Sequence, residues 1–357
     1  MLSKSTRLHY WGLVLLLSFI PLKGIAAQAP TTFAIRVQGQ ITSGTAGVSI
    51  PAGLPVTVRL ARPSDSRYRA EYETATQADG NYRLEGIIIQ PGDALFITVV
   101  FEGVPQSSPL IELNGERIEY TIPLTVYAAT DDPSVITLLR SRYVLDPKPG
   151  GVVQFLATFL YRASGDRLYL SKTTTKTGQA VSVIAPLPIG AVGVAFDEAG
   201  RFSVGGESFA PIVQDTRPVI PGQAHEVIVS YQLSYEVGAI VDQDQPYQTE
   251  DVTILIPNDA KITLSTAPEH RSFATAPNTT LNPNRPYTEF TLEGVIPSGG
   301  RLVYTLLAGN VPRTPLNGAS SRSEPGVFAV ILLVVTILIG LAFIVALFRL
   351  TFQRRHQ

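Results

Sequence analysis

The chain alternates between apolar and polar positions over most of its length, and two uninterrupted apolar segments lie near its ends. The first runs from Trp11 to Leu22, which is a signal-peptide length and too short to span a bilayer. The second, Gly326–Phe348, has 23 residues and no charge. At a rise of 1.5 Å per residue it forms a helix of about 34 Å, enough to cross the hydrocarbon core. The pattern therefore predicts a signal peptide and one transmembrane helix.

Between these segments the alternation has a period of two, which predicts strands with one buried and one solvated face. For example, Phe33, Ile35 and Val37 point to one face, while Arg36 and Gln38 point to the other. The chain has 27 prolines and 29 glycines, and those of this region punctuate short runs without a convincing helical pattern. Such runs predict an all-β ectodomain of two consecutive antiparallel β-sandwich domains.

The same runs give the expected domain boundaries. We expect a signal peptide at 1–29, a small sandwich at 30–130, a larger second β-sandwich region at 134–310, a linker at 311–325, the transmembrane helix at 326–348 and a basic tail at 349–357. The second region fits either one large sandwich or two small ones. Its strands are predicted at Val152–Arg162, Arg167–Leu170, Ala180–Ile184, Val192–Phe196, His225–Tyr235, Asp251–Ile256, Lys261–Ser265, Thr288–Val295 and Arg301–Leu307.

Charge at the two ends sets the expected topology. Three arginines follow the second apolar segment within residues 349–357, which favours a cytoplasmic C-terminus. Residues 30–325 hold 22 basic and 29 acidic side chains, a net charge of −7 that disfavours nucleic acid as a partner. We therefore expect a single-pass cell-membrane protein with an extracellular or periplasmic ectodomain. Because Lys23 and Pro30 depart from the usual cleavage pattern, an uncleaved signal anchor is the alternative.

Cysteine and histidine usage narrows the chemistry. The chain has no cysteine, which excludes disulfides, thiolate metal sites and cysteine nucleophiles and favours a bacterial envelope protein. After the first apolar segment the only histidines are His225, His270 and His356, without metal-ligand spacing. There is also no GxSxG nucleophile motif. The sequence therefore predicts neither an enzyme nor a cofactor.

Three segments near the start of the ectodomain carry a family resemblance. An early strand ends at Gly39, GLPVTVRL follows at Gly53–Leu60, and TQADGNYRLEGI follows at Thr76–Ile87. This succession resembles the carboxypeptidase-regulatory-like domain, a transthyretin-like β-sandwich of the carbohydrate-binding-like fold. The resemblance covers roughly a quarter of the chain. Members of the family include surface stalks, sugar-binding modules and accessory domains of membrane proteins.

The most specific part of this resemblance is structural. It implies that Asp79 and Gly80 form a turn that sets the register of a hairpin, and that Tyr82 fills the core. Asp-Gly suits the positive φ angles of a tight hairpin. The resemblance implies no catalytic residue.

Two other groups of side chains are candidate ligand sites. Asp242 and Asp244 lie in the densest acidic segment, which predicts either a calcium site or, more simply, a solvated hairpin loop. Tyr68, Tyr72 and Tyr247 are tyrosines that an exposed position would make available to stack on sugar rings.

Taken together, these patterns predict a non-catalytic membrane-anchored surface or envelope protein whose β domains bind a protein partner or support a membrane complex. The alternative is a carbohydrate-binding module that faces the cell wall or an extracellular polysaccharide. Because the alternative depends on fold resemblance alone, exposed coplanar aromatic side chains on one sheet face would be needed to favour it.

Overall fold

The computed structural model describes residues 32–63, 67–114, 117–196, 198, 200–266 and 272–308. These residues are predominantly β-strand, as the alternation predicts, and contain no α-helix. Short 3₁₀ turns occur at Pro133–Val135 and Asn258–Ala260. No helix within the described ranges is long and apolar enough to cross a membrane. The predicted signal peptide (1–29), linker (311–325), transmembrane helix (326–348) and tail (349–357) lie outside the described residues.

The first ten strands lie before the Pro133–Val135 turn. They are β1 (Phe33–Ser43), β2 (Pro55–Arg62), β3 (Arg67–Ala75), β4 (Asn81–Ile89), β5 (Ala94–Phe101), β6 (Val104–Ser107), β7 (Ile111–Glu112), β8 (Glu119–Thr121), β9 (Leu124–Val126) and β10 (Ala129–Thr130).

The remaining strands follow that turn. They are β11 (Ile136–Lys148), β12 (Val152–Ala163), β13 (Leu168–Tyr169), β14 (Ile184–Pro186), β15 (Val192–Ala195), β16 (Phe202–Glu207), β17 (Ala210–Asp215), β18 (His225–Ser234), β19 (Ala239–Gln245), β20 (Gln248–Thr249), β21 (Val252–Pro257), β22 (Ile262–Thr266), β23 (Phe273–Asn278), β24 (Tyr287–Leu292) and β25 (Gly300–Ala308).

Two compact units interleave along the chain. Unit 1 contains the described residues up to Gln40, together with Pro51–Val99 and Ser107–Leu124. Unit 2 contains Ile41–Ile50, Val100–Gln106 and the described residues from Thr125 onward. Because short segments in the first third of the chain are assigned to unit 2, chain order alone does not delimit the units.

The strands pair into sheets of unequal size. The larger ones are β4-β1-β8, with β9 also on β1; β3-β2-β5-β6, with β7 also on β5; and β15-β18-β12-β11-β21-β24-β23, with β20 also on β11. The smaller ones are β10-β13, β14-β17-β16 and β19-β25-β22.

Both parallel and antiparallel ladders occur, which modifies the expectation of purely antiparallel sheets. Long strands that follow each other closely pair antiparallel, as β11 does with β12. β11 also pairs parallel with β21, and β1 pairs parallel with β8. Parallel neighbours require a long connection, and in both cases many residues separate the two strands along the chain.

The core of unit 1 forms where alternate positions of neighbouring strands meet. Val56, Val58 and Leu60 of β2 are fully buried, and Ile97 and Val99 of β5 lie opposite two of them. Burial of each such side chain contributes about 1.5–3 kcal/mol. The outward positions of β2, between these buried ones, remain available for surface contacts.

In unit 2, the core lies along β11, β12 and β18. Phe155 of β12 stacks on Tyr231 of β18 with ring centres 5.0 Å apart. Phe159 meets Tyr143 of β11 edge to face at 5.8 Å. Offset and edge-to-face ring pairs each contribute about 0.5–1.5 kcal/mol beyond burial.

A bulge interrupts β11 at Leu139. Against β12, Leu138 lies opposite Tyr161 while Arg140 lies opposite Leu160, so Leu139 is the extra residue. Burial changes phase at this point, from even-numbered positions before the bulge to odd-numbered positions after it. A bulge of this kind inserts one residue and redirects the side chains that follow.

Candidate functional site

The turn that the sequence singles out lies between β3 and β4. Gly80 has a φ of 78°, a conformation that glycine adopts without strain, and Asp79 Oδ1 accepts a hydrogen bond of 3.0 Å from the Asn81 N–H. The two strands nevertheless belong to different sheets, since β3 pairs with β2 and β4 pairs with β1. The expected hairpin is therefore corrected: the turn carries the chain from one sheet into the other.

Thr76 explains why the chain leaves β3 at this point. Its hydroxyl accepts a hydrogen bond from the Leu54 N–H at 3.0 Å and donates to the Pro51 carbonyl at 2.8 Å. Its own N–H donates to the Leu54 carbonyl at 3.0 Å. These bonds hold the end of β3 to the segment before β2, so β4 is free to pair with β1.

Tyr82 is 2% exposed, and burial raises the pKa of its hydroxyl. That hydroxyl donates a hydrogen bond of 2.7 Å to the Ile122 carbonyl. Gly39 lies opposite Tyr82 in the ladder, and a Cβ there would be 2.1 Å from the Ile122 oxygen and 2.9 Å from the tyrosine ring. The tyrosine therefore fills the core against a glycine that leaves room for it, which is a structural role.

Beside this turn, unit 1 has an open groove of about 500 Å³. Gln38 donates to Glu119 at 2.6 Å, and Gln40 donates to the Asp79 carbonyl at 3.0 Å, so two of the lining amides are held in place. Amide, hydroxyl and guanidinium groups of this kind can bond to the hydroxyls of a polar ligand. The polar lining, which we call the amide groove, comprises Gln38, Gln40, Gln77, Asn81, Arg83 and Thr121.

A second surface of unit 1 is aromatic. Tyr68 of β3 is 61% exposed, and its ring lies 5.8 Å from that of Phe96, inclined at 53°. The Arg59 guanidinium lies 5.4 Å from the centre of the Tyr68 ring and pairs with Glu71 at 2.9 Å. Register places Arg59 and Phe96 opposite each other, on the outward face of β2 and β5. We call Tyr68, Phe96 and Arg59 the aromatic face.

The other tyrosines proposed for stacking are less available. Tyr72 is half-buried, and its hydroxyl accepts a bond of 3.3 Å from the Ile88 N–H. Tyr247 is 6% exposed, and its hydroxyl accepts a bond of 3.3 Å from the Ile184 N–H. It forms part of the wall of a cleft of about 340 Å³ in unit 2.

The acidic pair lies on a strand, not in a loop. Asp242 and Asp244 occupy outward positions of β19, and both face Arg301 of the neighbouring β25. Arg301 forms an ion pair with Asp242, and its Nε lies 3.8 Å from Asp244. Within the part of the chain that the structure describes, no group of three or more acidic, histidine or cysteine side chains could hold a metal ion. Arg301 therefore supplies the positive charge beside both carboxylates.

The best-formed buried polar cluster was not predicted from the sequence. Asp215, at the end of β17, accepts a hydrogen bond from Arg201 Nη2 at 2.6 Å and lies 2.8 Å from His225 Nε2. It also accepts the Arg217 N–H at 2.8 Å. The side chains of Asp215 and His225 are 1% and 4% exposed. The cluster joins β16, β17 and β18 inside unit 2.

Charge and burial oppose each other in this cluster. Burial acts to raise the pKa of Asp215, but His225, Arg201 and the Arg217 N–H together hold it below the ordinary value. Burial lowers the pKa of His225. The carboxylate beside it has the opposite effect but is already neutralised by Arg201, so the imidazole stays neutral near pH 7.

Comparisons with known proteins add no family assignment. No family model matches the chain, and no curated protein matches it. The M1 zinc metallopeptidase of Deinococcus radiodurans is similar over 48% of this chain and 42% of its own, with 11% identity and a TM-score of 0.28. This chain therefore spans less than half the length of that enzyme.

Two pilins also share some similarity with this chain. The major pilin subunit of Bacillus cereus matches 77% of this chain and 86% of its own, with 11% identity and a TM-score of 0.16. The full-length major pilin of Corynebacterium diphtheriae matches 80% and 88%, with 10% identity and a TM-score of 0.19.

Proposed function

We propose that this chain is a non-catalytic, membrane-anchored surface or envelope protein whose β units bind a protein partner or support a membrane complex. In this proposal residues 1–29 are the signal peptide, 326–348 cross the membrane and 349–357 are cytoplasmic. The β units fold as sandwiches on the extracellular or periplasmic side. Unit 1 is a carboxypeptidase-regulatory-like domain, an assignment supported by its Asp79–Gly80 turn and the buried Tyr82.

The state of the described histidine supports a non-catalytic role. His225 is buried, and its ring is bonded to Asp215 and to no serine or threonine hydroxyl of the described residues. A nucleophile–base pair requires such a hydroxyl within hydrogen-bond reach. The Arg201 and Asp215 side chains stabilise the junction of three strands instead.

The aromatic face is the observation that carries the binding proposal. Protein interfaces are enriched in tyrosine, phenylalanine and arginine, and a few such side chains supply most of the binding free energy. Here Tyr68 is mostly exposed, and its ring contacts Phe96 and the Arg59 guanidinium. The rings are inclined and not coplanar, which suits the flat surface of a sugar poorly.

Copurification from the native membrane tests this proposal. The tagged full-length protein, chemically crosslinked in place and extracted in mild detergent, is compared with a Tyr68→Ser/Phe96→Ser variant. A matched control is Val237→Ser, because Val237 is 67% exposed and lies in unit 2. We expect one protein to be recovered with the wild type and the control, and at least about tenfold less of it with the double variant. Equal recovery in all three would refute the assignment.

The amide groove favours a second candidate function, the binding of a neutral polysaccharide. Its polar groups can bond to sugar hydroxyls, although no exposed aromatic ring lines it among the described residues. The test is retention on a glycan array by the wild type and by a Gln40→Ala/Asn81→Ala variant. Retention that the variant loses would support this function, and absence of retention by the wild type would exclude it for the glycans on the array.

A further inference from the structure

β23 is an edge strand of the largest sheet in unit 2. It pairs with β24 on one side, and no other strand of the described residues pairs with it. Its sequence, FATAPN, carries no charge, and the side chains from Ala274 to Pro277 are exposed on both faces. An uncharged, exposed edge presents backbone groups to which another strand can add.

The phase of the ladder shows which of these groups point outward. The Glu293 N–H donates to the Ser272 carbonyl at 3.1 Å, so residue 272 faces β24. Because bonding alternates along an antiparallel ladder, residues 274, 276 and 278 also face β24. Phe273, Thr275 and Pro277 therefore direct their backbone groups away from the sheet, and Pro277 occupies a position where no donor is needed.

Two other edge strands of the described residues, β4 and β19, are partly covered. On the outer edge of β4, the Thr74 hydroxyl donates a hydrogen bond of 3.0 Å to the Arg83 carbonyl. The outer edge of β19 is met by the Ile189 N–H, which donates to the Asp242 carbonyl at 3.1 Å. No comparable bond from the described residues reaches the outward backbone groups of β23. One outward position of this edge, Pro277, lacks a backbone N–H.

The surroundings of β23 indicate what kind of strand would fit. Ala274 and Ala276 share a face with Glu289 and Glu293 of the neighbouring chain segment. Glu289 accepts a hydrogen bond from Asn278 at 2.6 Å, and Glu293 accepts one from Ser272 at 2.9 Å. Neither carboxylate has a lysine or arginine partner among the described side chains. The two alanines leave space for a long basic side chain to reach over β23 to these carboxylates.

We propose that the outer edge of β23 binds an extended segment of another protein by strand addition, and that this segment carries lysine or arginine on the face it shares with Glu289 and Glu293. Main-chain hydrogen bonds to Phe273, Thr275 and the Pro277 carbonyl provide the pairing, and the two carboxylates provide the preference for basic residues. A second copy of this chain fits less well, because its own β23 offers no basic side chain. The inference extends the proposed protein-binding role to a second surface, independent of the aromatic face.

Fluorescently labelled peptides with blocked ends test the proposal on the full-length protein in mild detergent. One peptide alternates threonine with lysine, and its control replaces each lysine by glutamate. We expect the lysine peptide to bind about tenfold more tightly, because two exposed ion pairs replace two like-charge contacts. Glu289→Gln/Glu293→Gln should remove this preference.

Backbone variants separate strand addition from general charge attraction. Thr275→Pro removes one outward N–H without touching the ladder to β24 and should weaken binding about tenfold, whereas the matched Thr275→Ala should not. Pro277→Ala adds a donor and should tighten binding, which provides a test even if Thr275→Pro lowers the melting temperature. Unchanged peptide affinity in both Thr275→Pro and Pro277→Ala would overturn the proposal. The proposal would also be overturned if no peptide binds and analytical ultracentrifugation shows a dimer that Pro277→Ala strengthens.

A negative peptide result would leave the copurification experiment intact, since that experiment depends on Tyr68 and Phe96. Loss of copurification without loss of peptide binding would refute the aromatic face and retain the edge of β23. The two proposals can therefore fail separately.

Discussion

Replacing Asp215 by alanine should substantially lower the free energy of unfolding of unit 2. The change leaves the Arg201 guanidinium, whose side chain is 12% exposed, without its buried counter-ion, and also leaves the Arg217 N–H without an acceptor. Removing one partner of a buried ion pair costs about 3–5 kcal/mol. Arg201 keeps Glu198 and the Glu226 carbonyl as partners, so we expect the lower part of this range. Asp215→Asn should cost about 1.5–3 kcal/mol, because it loses charge but keeps an acceptor.

The assay is urea denaturation of the full-length protein in mild detergent, followed by hydrogen–deuterium exchange in the segment Phe202–Ser234. This readout isolates unit 2, since two units need not unfold in one transition. Asp244→Ala is the matched control: Asp244 is 84% exposed and should change stability by at most about 0.5 kcal/mol. A loss of less than about 1 kcal/mol in Asp215→Ala would show that the cluster does not carry the buried charge we assign to it.

Acid provides a second readout of the same cluster. The folded-state pKa of His225 is below its ordinary value, so the unfolded chain binds more protons between the two values. The contribution of His225 to stability is therefore complete above about pH 6.5 and decreases as the pH falls towards the lower folded value. His225→Gln should flatten this part of the stability curve. A curve of the same slope in the variant would contradict the argument.

Three further predictions concern the turn and the acidic strand. Tyr82→Phe should cost about 1–2 kcal/mol in urea denaturation, because the buried Ile122 carbonyl loses its donor; an unchanged midpoint would contradict this role. Gly39→Ala should cost about 3 kcal/mol, because the new methyl group would overlap the Ile122 oxygen; wild-type stability would refute the close contact. Millimolar calcium should leave the melting temperature unchanged, because Arg301 already pairs with Asp242; a rise that Asp242→Asn abolishes would restore the calcium hypothesis.

Period-two alternation was sufficient to find strands whose two faces differ clearly. The strand from His225 shows this best, since Val227 and Val229 are buried and Ile228, between them, is 38% exposed. β11 was missed as a strand because its bulge at Leu139 breaks the alternation halfway along.

Within the second region β15 was predicted, as Val192–Phe196, whereas β16 and β19 were missed. The acidic segment around Asp242 was interpreted as a hairpin loop, yet Val241, Gln243 and Gln245 alternate with the acids as buried positions of β19. Two buried glutamines hide the period, because a pattern of apolar residues does not register them.

The Asp215 cluster could not be predicted from the sequence because its members come from separate places: Arg201 from the turn before β16, Asp215 from the end of β17 and His225 from the start of β18. Asp215 and His225 are only ten residues apart, but their spacing matches no known metal or catalytic pattern. One usable signal existed: His225 has the same phase as Val227 and Val229, so it could have been predicted to lie inside. Its partner could not, since nothing in the alternation of Ala210–Asp215 identifies which charge faces the histidine.

The bulge at Leu139 has a consequence for how sequences related to this one can change in length. On its other side β11 pairs with β20 and β21 at a constant offset in residue number. Leu138 pairs with Thr249 before the bulge, and Ser141 pairs with Val252 after it. The extra residue on β11 is thus matched by an extra residue at Glu250. Deleting one without the other would shift half of a ladder by one position and turn its side chains to the wrong face. Insertions and deletions at these two places, 111 positions apart along the chain, should therefore be inherited together.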